Sequence, residues 1–148
     1  MTISQRLEEL GIELPPVAAP VAAYAPAVVF GSLVRTSGQL PIKDGDLLLT
    51  GKCGTVAVND DLAYAAARQC ALNALAAAAA AGGGVDRLVR AGKVVGFGAS
   101  TEDYFAQPSV INGASDLLQG IFGSSHARSA VGVSALPLNA TVEVEVEF

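Results

Sequence analysis

Arg128 heads the run ARSAVGVSALP, in which it is the only charged side chain, and Glu143, Glu145 and Glu147 then alternate with valines in TVEVEVEF. A guanidinium can grip a carboxylate through two parallel hydrogen bonds, and a carboxylate can orient a water or take its proton. In a strand, alternate side chains share a face, so Ala130, Gly132 and Ser134 stand beside Arg128. Small residues beside a charge leave space for a small anion. The plainer reading is that Arg128 pairs with a strand glutamate on a solvated face, a contact worth about 0–1 kcal/mol.

Other chemistries find less material. His126 is the only histidine, and Cys53 and Cys70 match no metal-ligand spacing, so a Cys/His zinc site lacks ligands. No G-x-S-x-G elbow accompanies the histidine, which reads as a loop residue. The cysteines read as structural, with Cys70 a small hydrophobe in a helix of small residues. A net charge of −5, a pI near 4.7 and only nine scattered Lys and Arg disfavour a nucleic-acid partner. No apolar run reaches a membrane span without interruption, and MTISQRLEEL lacks the core of a signal peptide, so a cytoplasmic protein is expected. Hydrophobic residues make up 51% of the chain and charged residues only 16%, a hint that subunit contacts cover apolar surface.

The positioning elements follow from caps and periodicity. Thr2 and Gln5 predict a capping box for a short helix over about 2–10, closed by Gly11. The stretch LPPVAAPVAAYAP is too proline-rich for regular structure and is expected to run extended over the surface. Strands are expected at AVVF and LVRTSGQ around a Gly-Ser turn, then at DLLLTG, KVVGFGAS, SAVGVSA and TVEVEVEF. Asn59 predicts the start of a long alanine-rich helix ending at Gly82–Gly84, and Pro108 opens a second near PSVINGASDLLQGIF. This order reads as a single α+β domain over 1–148 with its helices on one sheet face. If the LPLNAT connection folds the last strand back on its predecessor, the register joining Val142, Val144 and Val146 to Val131 and Val133 makes the apolar face. Glu143, Glu145 and Glu147 then fall on Arg128's face.

The ordered stretches RTSGQLP, CALNALAA, QPSVINGASDLL and ARSAVGVSALP with VEVE resemble the Rid family of reactive intermediate/imine deaminases, also called YjgF-like, in its longer chorismate-mutase-like or endoribonuclease subgroup. The resemblance implies a chorismate-mutase-like sandwich: a mixed six-stranded sheet, two main helices on one face, and a homotrimer with clefts between subunits. It places Arg128 on the arginine that holds the substrate carboxylate and Glu143 on the glutamate that positions the hydrolytic water. Tyr24 matches a tyrosine reaching in from a neighbouring subunit and Gly38 a backbone contact. Asn112 matches a further substrate contact more loosely. Ala130 stands where relatives often carry cysteine, which excludes thiol chemistry but leaves its backbone carbonyl to hold the water. His126 replaces the proline of the usual P-A-R form.

The implied reaction is hydrolysis of enamines and imines such as 2-aminoacrylate to 2-keto acids and ammonia, with no metal or organic cofactor. Three rivals stand beside it: a deaminase of larger aminomuconate-like acids, a non-enzymatic small-ligand binding module, and an endoribonuclease, which the acidic balance disfavours.

Overall fold

The computed structural model describes residues 1–19 and 22–148. Helix α1, Ile3–Glu9, starts at the expected capping box: Gln5 N–H donates to Thr2 Oγ1 at 3.2 Å, and Thr2 N–H donates to Gln5 Oε1 at 2.9 Å. The proline-rich stretch after it carries no helix or strand up to residue 19, and Pro20 and Val21 lie outside the described residues.

Strands β1 (Ala27–Phe30) and β2 (Leu33–Thr36) form the expected hairpin. Next come β3 (Ile42–Lys43) and β4 (Asp46–Leu47), joined by Asp44 and Gly45, whose φ angles of 53° and 86° suit a left-handed two-residue turn. Helix α2, Asp60–Gly82, is capped by the Asn59 side chain, which accepts from Leu62 N–H at 2.8 Å; Gly83 ends it at φ 88°. Strand β5 (Lys93–Ala99), helix α3 (Gln107–Phe122), strand β6 (Ala127–Val133) and strand β7 (Val142–Glu147) complete the chain. No helix of the described residues is long and apolar enough to cross a membrane.

The sheet is mixed, in the order β1-β2-β7-β5-β6, with only the β5–β6 pair parallel. Val94, Val142, Val144 and Val146 point to the side covered by α2 and α3, where Ala67, Ala71, Leu75, Ile111, Ala114 and Leu118 meet them in one core. Alanines let α2 lie close to both the sheet and α3.

Three expectations are corrected. Among the described residues the sheet has five strands, not six, because β3 and β4 pair only with each other as a separate ribbon. Strand β7 does not return beside β6: β5 lies between them, since the α3 crossover makes β6 a parallel partner of β5. The third correction concerns faces. Arg128 and Val146 are both register partners of Val94, so Arg128 lies on the helix side, opposite Glu143, Glu145 and Glu147. Ala130 and Gly132 share that row with Arg128, and a Cβ at Gly132 would meet the flexible end of the Gln107 side chain at 2.6 Å. The bulkier Val131, 44% exposed, goes instead to the face that no helix covers, in the row of Phe97 and Glu143.

Candidate functional site

The residues singled out by sequence fall into two clusters. The first gathers around Arg128 at the sheet edge. Its Nη1 donates to Asn112 Oδ1 at 2.7 Å and to Ser115 Oγ at 3.3 Å, both on α3 and one turn apart. No carboxylate among the described residues comes within ion-pair distance of it. The arginine that does pair with a strand glutamate is Arg35, whose Nε lies 2.8 Å from Glu147 Oε2. Ala127 N–H donates to Gly92 and Val133 C=O accepts from Ser100, so these residues bond toward β5. By alternation the backbone groups of Arg128, Ala130 and Gly132 point outward from the unpaired edge of β6. The Ala130 methyl meanwhile packs against the core.

His126 completes this cluster, with Nε2 2.9 Å from Ser115 Oγ and a buried Nδ1 that has no partner among the described residues. Burial first, and the Arg128 charge second, lower its pKa and favour the neutral ring.

The second cluster surrounds Glu143. Tyr24, Gly38 and Glu143 line one cleft with Pro26, Leu40 and Pro137. Gln39, buried, bridges to β7: its N–H donates to Val144 C=O at 2.8 Å, and Val144 N–H donates back at 3.0 Å. That bridge sets Gly38 beneath the Glu143 carboxylate, and a Cβ at Gly38 would collide with Glu143 Oε1. Glycine here leaves room for an acid, which is why SGQ and the distant VEVE belong to one site. Ser37 donates to Ala25 C=O at 2.6 Å and so ties the Tyr24 segment alongside. Partial burial, then the Glu145 charge, push the Glu143 carboxyl above its ordinary pKa. The acid is thereby primed as a proton acceptor nearer to neutral pH.

Within one chain these clusters do not meet. Arg128 lies in the row of Val94 and Glu143 in the row of Phe97, with β5 between their strands. Two strand spacings and three residues put their Cα atoms on the order of 14 Å apart, on opposite faces. The structure brings Asn112 to Arg128, and Tyr24 with Gly38 to Glu143. It separates Arg128 from Glu143, which the expected parity had put on one face. Sequence reading missed Ser115, although its i+3 spacing from Asn112 was a usable signal; it placed His126 in a loop, where the structure has it, without its bond to Ser115. It also missed Gln39, Leu40 and Pro137, whose roles depend on non-local pairing. Cys53 and Cys70 are both fully buried, and burial raises both thiols' pKa values. Among the described residues no group of three His, Cys, Asp or Glu side chains could hold a metal.

Residues 4–146 match the family described as YjgF/chorismate mutase-like, putative endoribonuclease. The chain is 42% identical to Protein TCP17 of Trypanosoma cruzi, over 97% of its own length and 91% of that protein's. It is similar to the crystal structure of a putative endoribonuclease from Shewanella oneidensis MR-1, with TM-score 0.92 and 35% identity over 99% of this chain and 98% of that one. It is also similar to E. coli TdcF with bound serine, with TM-score 0.61 and 25% identity over 90% and 91% of the two chains.

Proposed function

Because the chain belongs to the YjgF/chorismate mutase-like (Rid) family, we propose that it hydrolyses small carboxylate-bearing imines and enamines of the 2-aminoacrylate type, at sites assembled between the subunits of a homotrimer. The observation that carries this reading is the pairing of Arg128 with neutral oxygens only, among the described residues. Asn112 and Ser115 hold Nη1 on the helix side, which leaves the Nε and Nη2 edge free for two carboxylate oxygens. The serine bound by TdcF carries such a carboxylate. The uncovered sheet face, with Val95, Phe97 and Val131 among acids, is suited to meet a neighbouring subunit, which would bring Tyr24, Gly38 and Glu143 to the Arg128 edge.

In this site the guanidinium holds the carboxylate and draws electron density from the adjoining imine carbon. Glu143, as carboxylate, accepts a proton from water while the oxygen bonds to that carbon and the C=N electrons move to nitrogen, which takes a proton from bulk water that the later loss of the hydroxyl proton returns. The resulting carbinolamine then loses its amine. Glu143 returns its proton to nitrogen, the C–N bond breaks, ammonia leaves and the hydroxyl proton is lost to give the 2-keto acid. The outward Ala130 carbonyl would help hold the water.

The family description and the Shewanella relative name an endoribonuclease. The net charge of −5 speaks against a phosphate-rich substrate. The deciding experiment traps imines, generated by amino-acid oxidases from amino acids of several side chains, with semicarbazide. Accelerated loss of short-chain imines is expected. Acceleration restricted to long dicarboxylic imines would shift the assignment to aminomuconate-like acids, and no acceleration at all would leave a ligand-binding module.

A further inference from the structure

Behind Arg128 runs a continuous line of polar atoms. Nη1 donates to Ser115 Oγ at 3.3 Å, and that oxygen lies 2.9 Å from His126 Nε2. Ser115 is buried on α3, and His126 stands at the threshold of β6. Arg90 Nη2 fixes the preceding turn by donating to Ser125 C=O at 2.6 Å. Ser115 has one proton to place. A hydroxyl that accepts from a cation becomes a stronger donor toward a ring nitrogen beside it. Donation in that direction needs the neutral His126 tautomer protonated at Nδ1, a buried nitrogen with no partner among the described residues.

We propose that His126 is a positioning residue for Arg128: its Nε2 accepts the Ser115 proton, turns the serine lone pairs toward the guanidinium and holds the fork in one orientation. This rests on the carboxylate-clamp reading of Arg128. The lowered pKa of the ring agrees with it, since only neutral histidine can accept. Ser115 thus links the ring to the guanidinium, with Asn112 as the second fixed point on the same nitrogen.

The chain has a single histidine, so ring 15N signals from a histidine-labelled sample report this place without assignment. The expected spectrum at pH 7 shows protonated Nδ1 and bare Nε2. A ring protonated at Nε2 overturns the proposal. Pyruvate, a 2-keto acid with the expected carboxylate, serves as the ligand. Its dissociation constant should rise about tenfold in His126→Leu, as for loss of a supporting hydrogen bond. His126→Gln, which keeps an acceptor, should recover most of that loss. Ser115→Ala should weaken pyruvate by a similar factor, and the double variant Ser115→Ala/His126→Leu no further, because both break one line. Additive losses, or unchanged affinity in His126→Leu, overturn the proposal, and the ring 15N signals with His126→Gln decide if the leucine variant does not fold. Imine hydrolysis is followed on the same samples. Wild-type protein that binds pyruvate without accelerating imine loss removes the deaminase reading and leaves the positioning role standing. Protein that binds no pyruvate removes the clamp and its support together.

Discussion

Arg128 and Glu143 make different demands on their surroundings. Arg128 needs an empty, planar edge, which lysine cannot provide even though it keeps the charge. Arg128→Lys should therefore lose roughly 10- to 100-fold in kcat/KM, as for a charge-assisted hydrogen bond. Thermal unfolding should move little, because no ion pair is broken. Turnover close to wild type would end the clamp reading. For Glu143 the sign follows from its raised pKa. The fold favours the neutral acid, so the contribution of this group to stability is present below its unfolded pKa and is lost as pH rises through the folded one. Glu143→Gln should accordingly raise the melting temperature at pH 7 to 8, leave it unchanged near pH 4, and abolish most turnover. Wild-type kcat/KM should fall as pH drops through the Glu143 pKa, at a pH above the 4.5 of an ordinary glutamate.

At the level of elements, the position of α3 decides whether Asn112 and Ser115 reach the arginine. Gly113, between them in the helix, lets α3 approach α2 so closely that a Cβ would run into the Tyr64 carbonyl. Gly113→Ala should cost about 1–3 kcal/mol in chemical unfolding, as overpacking does, and weaken carboxylate binding by pushing α3 off its seat. A variant of unchanged stability would show that the helices separate freely. Helices of this kind were legible in the sequence because their signals are local: the Thr2–Gln5 box, the Asn59 cap, Pro108 near the start of α3 and the closing glycines. The partnership of the strands was not. Alternation told which residues share a face, but Val131 and Val133 looked like the buried set. The α3 crossover gave that side to Ala130 and Gly132 instead. Gly38 and Glu143 were named by resemblance. Only the Gln39–Val144 bridge, across 105 residues of chain, explains why a glycine is needed beneath that acid.

For the whole molecule, the two clusters make a direct test of assembly. If each site joins Arg128 of one subunit to Glu143 of the next, an Arg128→Lys chain and a Glu143→Gln chain repair each other. Every mixed ring of three then holds one intact site, and random mixing in equal amounts should restore about one quarter of wild-type activity. Mixed samples no more active than their parents would end the shared-site reading, because within one chain the two groups lie on opposite faces. Light scattering should find a trimer, and a stable monomer at micromolar concentration would contradict it. The uncovered face explains the low charge content only if it is buried in this way. RNA binding, if present at all, should vary little with salt, because few cations are available to displace counterions.

The central place of β7 also governs how the domain folds. The β1–β2 hairpin and the β5–β6 pair share no ladder of their own; β7 alone bonds to both. Joining the first hairpin to the rest means closing a loop of more than a hundred residues, from Arg35 to Glu147. Such long-range closure raises the entropic barrier and slows folding. The hairpin's Val28, Val29 and Phe30 stay exposed at the β1 edge even after β7 has docked on β2. The rate-limiting step is therefore expected to be docking of β7 rather than helix formation, and the unjoined hairpin is where a folding chain is most open to association with its neighbours.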